Sequence, residues 1–324
     1  MNLLQICLIF WSCALIIGAL VPFIREQTWW LRAWTYARLQ MLVVLSITAL
    51  IYAVLFGGSG LLNAGVLIAL LAAALTCLWD IYPFTKLGFK QTRDLKAGEN
   101  HHAISLFVGN VLMDNDGYEP YLAQIKETSP DLIFLVETND RWREALSELE
   151  DTYPHKYLLP REDYNGMMFY SRHEILGVQE RYLVQDHIPS LTIDIDVGER
   201  EPLRFYGVHP RPPRPEDDPA DLDNELLFIA NEAGHHLGPI IVTGDLNDVG
   251  WSSTTKKFLR ISGLKDPRLG RGLYNSYNAK NPFVRWPLDH VFHSRHFALI
   301  DMTRLKALGS DHFPLLIQFA LHKE

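Results

Sequence analysis

The chain has 324 residues, 48% of them hydrophobic and 21% charged, which excludes disorder and collagen-like repeats and leaves room for one large domain or two small ones. The charge is uneven: 34 acids, 23 bases and all 13 histidines fall beyond residue 100. That acidic surplus speaks against tight, sequence-blind nucleic-acid binding, which needs a basic footprint, but leaves open a nuclease that holds its substrate weakly.

Met1 to Ile24 carries no charged side chain, and Met41 to Trp79 is a second uncharged run. A bilayer-spanning helix needs roughly 20 apolar residues, so the second run is two spans, broken at Gly57-Gly58-Ser59-Gly60. Three transmembrane helices are expected, at about 3–24, 40–56 and 61–79. No base precedes the first apolar run and no small-residue cleavage site follows it, which argues against a cleaved signal peptide. Between the first two spans, Trp29, Trp30, Trp34 and Tyr36 alternate with Arg32 and Arg38, a mix suited to a membrane–water interface. The three cysteines, Cys7, Cys13 and Cys77, lie in apolar runs. They read as buried thiols, with neither a disulfide framework nor a cysteine zinc site. The chain is therefore expected in the cell (inner) membrane as a multi-pass protein. Arg25, Arg32, Arg38, Lys86, Lys90, Arg93 and Lys96 favour a cytoplasmic C-terminal domain by the positive-inside rule. Residues 81–100 read as a juxtamembrane linker and 101–324 as a separate C-terminal domain.

Beyond residue 100 short apolar runs stop at polar residues. Ala103–Gly109 meets Asn110, Leu132–Val136 meets Glu137, Leu203–Val208 meets His209, and Ile240–Gly244 meets Asp245-Leu246-Asn247. Each run reads as a buried strand. Near the C-terminus the order inverts: Asp289 precedes His290-Val291-Phe292, and Asp311-His312 precedes Phe313–Phe319. If the later strands run antiparallel to the earlier ones, all these polar residues gather along one sheet edge. Helical patterns fall at about 117–128, 139–150, 219–237 and 252–262, and Asn165-Gly166 is a hairpin signal. His209–Pro215, with four prolines, must be an extended loop. Two packed sheets with helices outside are expected.

The gathered residue types point to phosphoester chemistry. Carboxylates with Asn oxygens make a hard, oxygen-rich site for Mg²⁺ or Mn²⁺. Histidines beside them supply proton transfer and phosphate contacts. Arg211, Arg214, Trp251, Arg285 and Trp286 flank the expected site and are candidate substrate-binding residues.

The motifs Gly109-Asn110-Val111-Leu112 with Asn115, Val136-Glu137, Val208-His209, Thr243-Gly244-Asp245-Leu246-Asn247, Leu288-Asp289-His290-Val291 and Gly309-Ser310-Asp311-His312-Phe313-Pro314 occur in an order that resembles the endonuclease/exonuclease/phosphatase superfamily of DNase I-like enzymes. The chain also resembles bacterial membrane members in which three spans precede this domain, a likeness that favours a periplasmic catalytic side. The resemblance implies an α+β, four-layer α/β/β/α sandwich. It implies that Asn110, Glu137 and Asp311 help hold the metal, and that Asp245 and Asn247 orient water and contact phosphate. His312, oriented by Asp289, would touch the scissile phosphate or move a proton, and His209 would be the second phosphate-contacting histidine. Asn115 would belong to the substrate-binding set. Whether Asp245 or the Asp289–His312 pair is the general base stays open. One departure is Pro210 after His209; another is Val284-Arg285-Trp286-Pro287 where inositol-phosphate phosphatases carry a Trp-Cys-Asp-Arg type signature. The expected function is membrane-anchored phosphoester hydrolysis of a lipid or isoprenoid phosphate near the bilayer. The alternatives are a metal-dependent nuclease and, more remotely, an inactive binding module. The expected partners are the phosphorylated substrate (lipid phosphate or nucleic acid) and the lipid bilayer, and nothing in the sequence points to a protein partner.

Overall fold

A computed structural model describes residues 1–24, 29–58, 60–99, 101–212 and 219–322. Three long apolar helices come first: α1 (Leu3–Leu20, extended by a 3₁₀ turn to Phe23), α3 (Arg38–Phe56) and α4 (Leu61–Ile81). By length and composition each could cross a membrane. They pack on one another through Leu15, Leu45, Tyr52, Leu70 and Cys77. Phe10, Val54 and Ile68 face outward and exposed, as do Cys7 and Cys13, so only one of the three cysteines is the buried thiol expected. Asn63 of α4 ties the bundle together, accepting from Tyr52 of α3 (2.7 Å) and Gln5 of α1 (2.9 Å). The aromatic stretch between the first two long apolar helices is itself a helix, α2 (Trp29–Tyr36).

The remainder is a sandwich of two mixed sheets. The strands are β1 (His101–Asn110), β2 (Leu132–Val136), β3 (His155–Leu159), β4 (Met167–Ser171), β5 (Ile175–Arg181), β6 (Ser190–Ile195), β7 (Leu203–Val208), β8 (Ile240–Asp245), β9 (Asp289–His293), β10 (Phe297–Arg304) and β11 (Leu315–His322). One sheet has the order β10-β11-β1-β2-β4-β3 and the other β5-β6-β7-β8-β9. Alternation decides which side chains go where. Ile104, Leu106 and Val108 of β1 and Leu132, Phe134 and Val136 of β2 meet Leu191, Ile193, Phe205 and Ile241 of the facing sheet. The odd-numbered neighbours Phe107, Ile133 and Leu135 point the other way, onto α5 (Tyr118–Thr128) and α6 (Asp140–Ala145). On the far face Tyr206, Val208, Ile240 and Val242 cover α7 (Pro219–His235) and α8 (Ser253–Ser262). The sequence is therefore helix layer, sheet, sheet, helix layer. The sheets approach closely at Gly207, where a Cβ would fall 2.6 Å from the Phe134 ring. Filling that space would cost about 1–3 kcal/mol of overpacking.

Strand direction sets the site. β1 runs parallel to β2, and β7 parallel to β8, while β11 and β9 run antiparallel to β1 and β8. The C-terminal ends of the early strands and the N-terminal ends of the late ones therefore share one edge, as expected.

The stretch read as a linker is docked rather than free. Phe84 is buried, its ring edge-on to Trp251 at 5.6 Å. Thr92 bonds His293 (2.7 Å), and Arg93 and Leu95 exchange backbone hydrogen bonds with Leu299. The helices α2, α3 and α4 also grip the sandwich. Arg32 pairs with Asp223 of α7 (2.7 Å), and Asp80 of α4 takes both Arg38 (2.9 Å) and Lys256 of α8 (2.7 Å). Arg32 and Arg38, counted above as cytoplasmic markers, are thus committed to acidic partners.

Candidate active site

At the shared edge lies a cleft of about 720 Å³. Backbone geometry aims its carboxylates. Asp245 ends β8 after Gly244, whose φ is 144° and whose Cβ would fall 1.8 Å from the carbonyl oxygen of Val208. Only glycine permits that approach. Of the six non-glycine residues with positive φ among the described ones, four line this cleft: Leu112 (58°), Glu137 (60°), Tyr164 (64°) and Asn247 (48°). Such conformations cost on the order of 1–3 kcal/mol each and concentrate where side-chain direction matters more than stability.

Asp245 is the hub. Its Oδ2 lies 3.5 Å from His312 Nε2 and 3.9 Å from His209 Nε2, and it accepts from Asn110 Nδ2 at 3.0 Å. Its Oδ1 accepts the backbone N–H of Asn247 (2.9 Å). Asn110 also donates to Glu137 Oε1 (2.6 Å), so one amide pins two carboxylates. Glu137 lies 3.8 Å from His209. Asp289, buried behind the cleft, takes His312 Nδ1 at 2.7 Å, and its backbone N–H donates to Ser276 Oγ at 2.9 Å. Two groups of side chains could close on one ion: Glu137, His209 and Asp245, or Asp245, Asp289 and His312.

Charges follow from this packing. Burial pushes the Glu137 carboxyl above its ordinary range, against the pull of His209 and the Asn110 hydrogen bond. Burial also disfavours charge on Asp245, but His312 and His209 outweigh it and hold Asp245 below the usual carboxylate value. Burial alone would lower His312; the charges of Asp289 and Asp245 reverse this and raise it to about 10.

The expected residues divide into three sets. Glu137, His209, Arg211, Asp245, Asn247, Trp286, Asp311 and His312 line the cleft, with Asn110 and Asp289 immediately behind them. Asp311 lies on the wall but outside both ion-binding groups. Three others are placed elsewhere. Asn115 staples its own loop, donating to Val111 O and Leu308 O (both 3.1 Å). Trp251 is buried and donates to Thr35 O (2.7 Å), so it docks α2 instead of meeting substrate. Arg285 lies over Phe313 and bonds Asn278 O (2.9 Å). Arg214 lies outside the described residues.

Sequence reasoning missed one whole wall. Ala33 and Tyr36 of α2 line the cleft, and the Tyr36 hydroxyl donates to Asn247 O at 2.5 Å. From Tyr36 an aromatic series runs inward: to Trp286 (5.9 Å), on to Tyr277 (stacked, 6.0 Å), and on to the His312 ring (5.0 Å). Tyr164 and Asn165 also line the cleft. The only available signals were the aromatic run before the second long apolar helix and the Asn165-Gly166 turn, neither of which says what it faces.

Strands thus converge on a buried Asp–His pair and a second carboxylate–histidine group. Residues 110–312 match the Endonuclease/Exonuclease/phosphatase family, and the chain belongs to that family. Among curated proteins it is similar to UPF0294 proteins of Klebsiella pneumoniae (34% identical over 30% of this chain and 34% of the relative) and Erwinia tasmaniensis (33% identical, over 30% and 35%). The chain thus matches about a third of those relatives' length. Solved structures with the same fold include an endonuclease/exonuclease/phosphatase from Beutenbergia cavernae (TM-score 0.53, 17% identity, 69% of this chain and 72% of that one). Two others are a family protein from Bacteroides thetaiotaomicron (0.55, 16%, 68% and 99%) and D. rerio TDP2 complexed with single strand DNA product (0.57, 15%, 67% and 98%).

Proposed function

We propose that this protein hydrolyses phosphoesters with the help of a divalent cation, Mg²⁺ or Mn²⁺, at a bilayer surface, and that its substrate is a lipid or isoprenoid phosphate. The observation that carries the substrate class is the cleft wall built by α2, the helix between two candidate spans. With α1 and α3 read as membrane spans, a site with Tyr36 and Ala33 in its wall would lie near the lipid headgroups, which supports this reading. The acidic surplus beyond residue 100 weighs against a polyanionic nucleic acid.

The donor set fits a hard cation: Glu137 and Asp245 would hold it, with Asp311 within the same cleft, and Asn110 keeps the first two together. Such a cation neutralises charge that develops on phosphate. The protein's own groups do the rest. His312, gripped at Nδ1 by Asp289 and facing Asp245 with Nε2, keeps its proton at neutral pH and is arranged to donate to the phosphate or leaving oxygen. Asp245 stays ionised, so it is the better-placed proton acceptor for an attacking water oriented by Asn247. His209 makes the second phosphate contact. On this reading Asp245 is the base and His312 the acid.

The test is a screen of the full-length protein in detergent, with Mg²⁺ or Mn²⁺, against phospholipids, isoprenoid phosphates and DNA. Turnover of a lipid or isoprenoid phosphate is expected. DNA cleavage with no lipid turnover would replace this reading with the nuclease one.

A further inference from the structure

Beyond residue 85, four large apolar side chains among the described residues are more than four-fifths exposed: Leu87 (82%), Phe89 (85%), Leu237 (82%) and Phe283 (82%). Leu237 lies by itself on a turn after α7. The other three sit where the sandwich meets the apolar helices. Leu87 and Phe89 follow the 3₁₀ turn (Tyr82–Phe84) that succeeds α4, bracketed as Lys86-Leu87-Gly88-Phe89-Lys90. Phe283 is at the tip of the loop closed by the Tyr277–Trp286 bridge, bracketed by Lys280 and Arg285, and Val284 beside it is 37% exposed. That tip is fastened to the first turn of α3, where Gln40 Nε2 donates to Phe283 O at 3.2 Å. Apolar tips with basic shoulders are what a headgroup boundary accommodates: the rings enter the apolar side and the cations stay at the polar side.

A second observation lies on the same loop. The guanidinium carbons of Arg285 and Arg304 stand 4.9 and 4.3 Å from the centroid of the Phe313 ring. Neither arginine forms an ion pair among the described residues. Their partners are only carbonyl oxygens, Asn278 O (2.9 Å) and Ala279 O (3.3 Å) for Arg285 and Asn275 O (2.9 Å) for Arg304. Two half-buried like charges on one ring lack a counter-anion, and a guanidinium fork suits phosphate. The pair lies outside the residues that line the cleft, so its anion is not the reacting phosphate.

We propose that the 277–286 loop is a lipid-docking lip: Phe283 and Val284 enter the interfacial layer beside α3, and Arg285 with Arg304 holds the headgroup of an anionic phospholipid against Phe313. The proposal rests on reading α1, α3 and α4 as membrane spans. The stem of the lip, Tyr277 and Trp286, is the aromatic wall of the cleft, so a docked lipid would brace that wall from outside.

The test uses full-length protein with Cys7, Cys13 and Cys77 changed to Ser, reconstituted in phosphatidylcholine vesicles with and without phosphatidylglycerol. An environment-sensitive fluorophore is placed at one of three positions by Phe283→Cys, Val54→Cys in α3, or Leu176→Cys on β5. Headgroup-proximal spin-labelled lipids should quench the 283 probe, and phosphatidylglycerol carrying the label should quench it at least twofold more than labelled phosphatidylcholine. Arg285→Gln with Arg304→Gln should erase that preference while the apolar tip stays quenched. The 176 probe should remain water-exposed. Quenching at 54 by acyl-chain labels with a solvent-like probe at 283 would overturn the lip and leave the spans standing. Equal quenching by the two headgroups would overturn the anionic site. No quenching at 54 would remove the membrane reading and the lip together. A thermal transition is recorded for each variant, and Phe283→Ser, read by loss of vesicle-induced protection of the loop from protease, gives an answer without the probe.

Discussion

The hydroxyl of Tyr36 and the carbonyl of Asn247 are 211 residues apart in the chain and 2.5 Å apart in space. Asn247 holds a positive φ, its N–H caps Asp245, and its Nδ2 donates to Pro210 O (3.0 Å). The helix between the first two apolar helices therefore buttresses the residue that orients Asp245. Tyr36→Phe removes that hydrogen bond and keeps the ring on Trp286. A lost hydrogen bond of about 1 kcal/mol predicts a turnover loss of up to roughly fivefold, with a thermal transition lowered by only about 2–4 °C. Residues 101–324 expressed by themselves, lacking α2 and the docked 81–99 stretch, should be less active still. Steady-state kinetics on a soluble phosphodiester read both; equal kcat for the excised and full-length proteins would show that α2 is only an anchor.

Asp245→Asn and His312→Ala should each lower turnover by roughly 10²–10⁴, the scale of a positioned base or acid. Asp289→Asn acts through His312, so combining it with His312→Ala should add little further loss, because groups within one unit are non-additive. A double-mutant cycle with fully multiplicative losses would give Asp289 a separate task.

Metal dependence should be visible in binding as well as rate. Chelation should abolish hydrolysis, and Mg²⁺ or Mn²⁺ should restore it. Glu137→Ala should weaken cation binding, measured by calorimetry, while the folded transition persists. Because burial raises the Glu137 carboxyl and binding needs it ionised, affinity should rise with pH through that elevated range. Full activity after exhaustive dialysis against chelator would remove the cation from the mechanism.

His312 predicts a stability signature. Its affinity for a proton is higher in the folded chain, about 10 against an ordinary 6.5. The stabilisation is then complete below the unfolded value and is lost as pH rises from there through the folded one. In chelator, denaturant midpoints should decline across that alkaline window, and His312→Gln should flatten the decline. An unaltered profile in the variant would assign the effect to another group.

Alkaline carbonate should leave the protein in the membrane pellet, given apolar helices with exposed Phe10, Val54 and Ile68. Reporters fused after residue 100 would give the side of the catalytic domain. Activity of a cytoplasmic reporter only would agree with the basic residues near the helix ends; a periplasmic signal only would set that count aside. The pairing of Arg32 and Arg38 with Asp223 and Asp80 already reduces the weight of two of those bases.

Much of the site was legible because its signals are local. An apolar run that stops at Asn110, Glu137, His209 or Asp245 reports a strand end, whatever its neighbours are. The long uncharged runs likewise report helices long and apolar enough to cross a membrane. What only tertiary structure decided is which distant segments meet at that edge. The order of the sheets and the antiparallel entry of β9 and β11 bring Asp289 to His312 and both to Asp245. Trp251 and Arg285 carry side chains suited to a substrate, yet one docks α2 and the other covers Phe313, since identity does not specify direction. Tyr36 looked like an interfacial aromatic and became a wall of the cleft. Hydrophobic periodicity records how deeply a residue is buried, and only the packing of elements far apart in the chain determines against what.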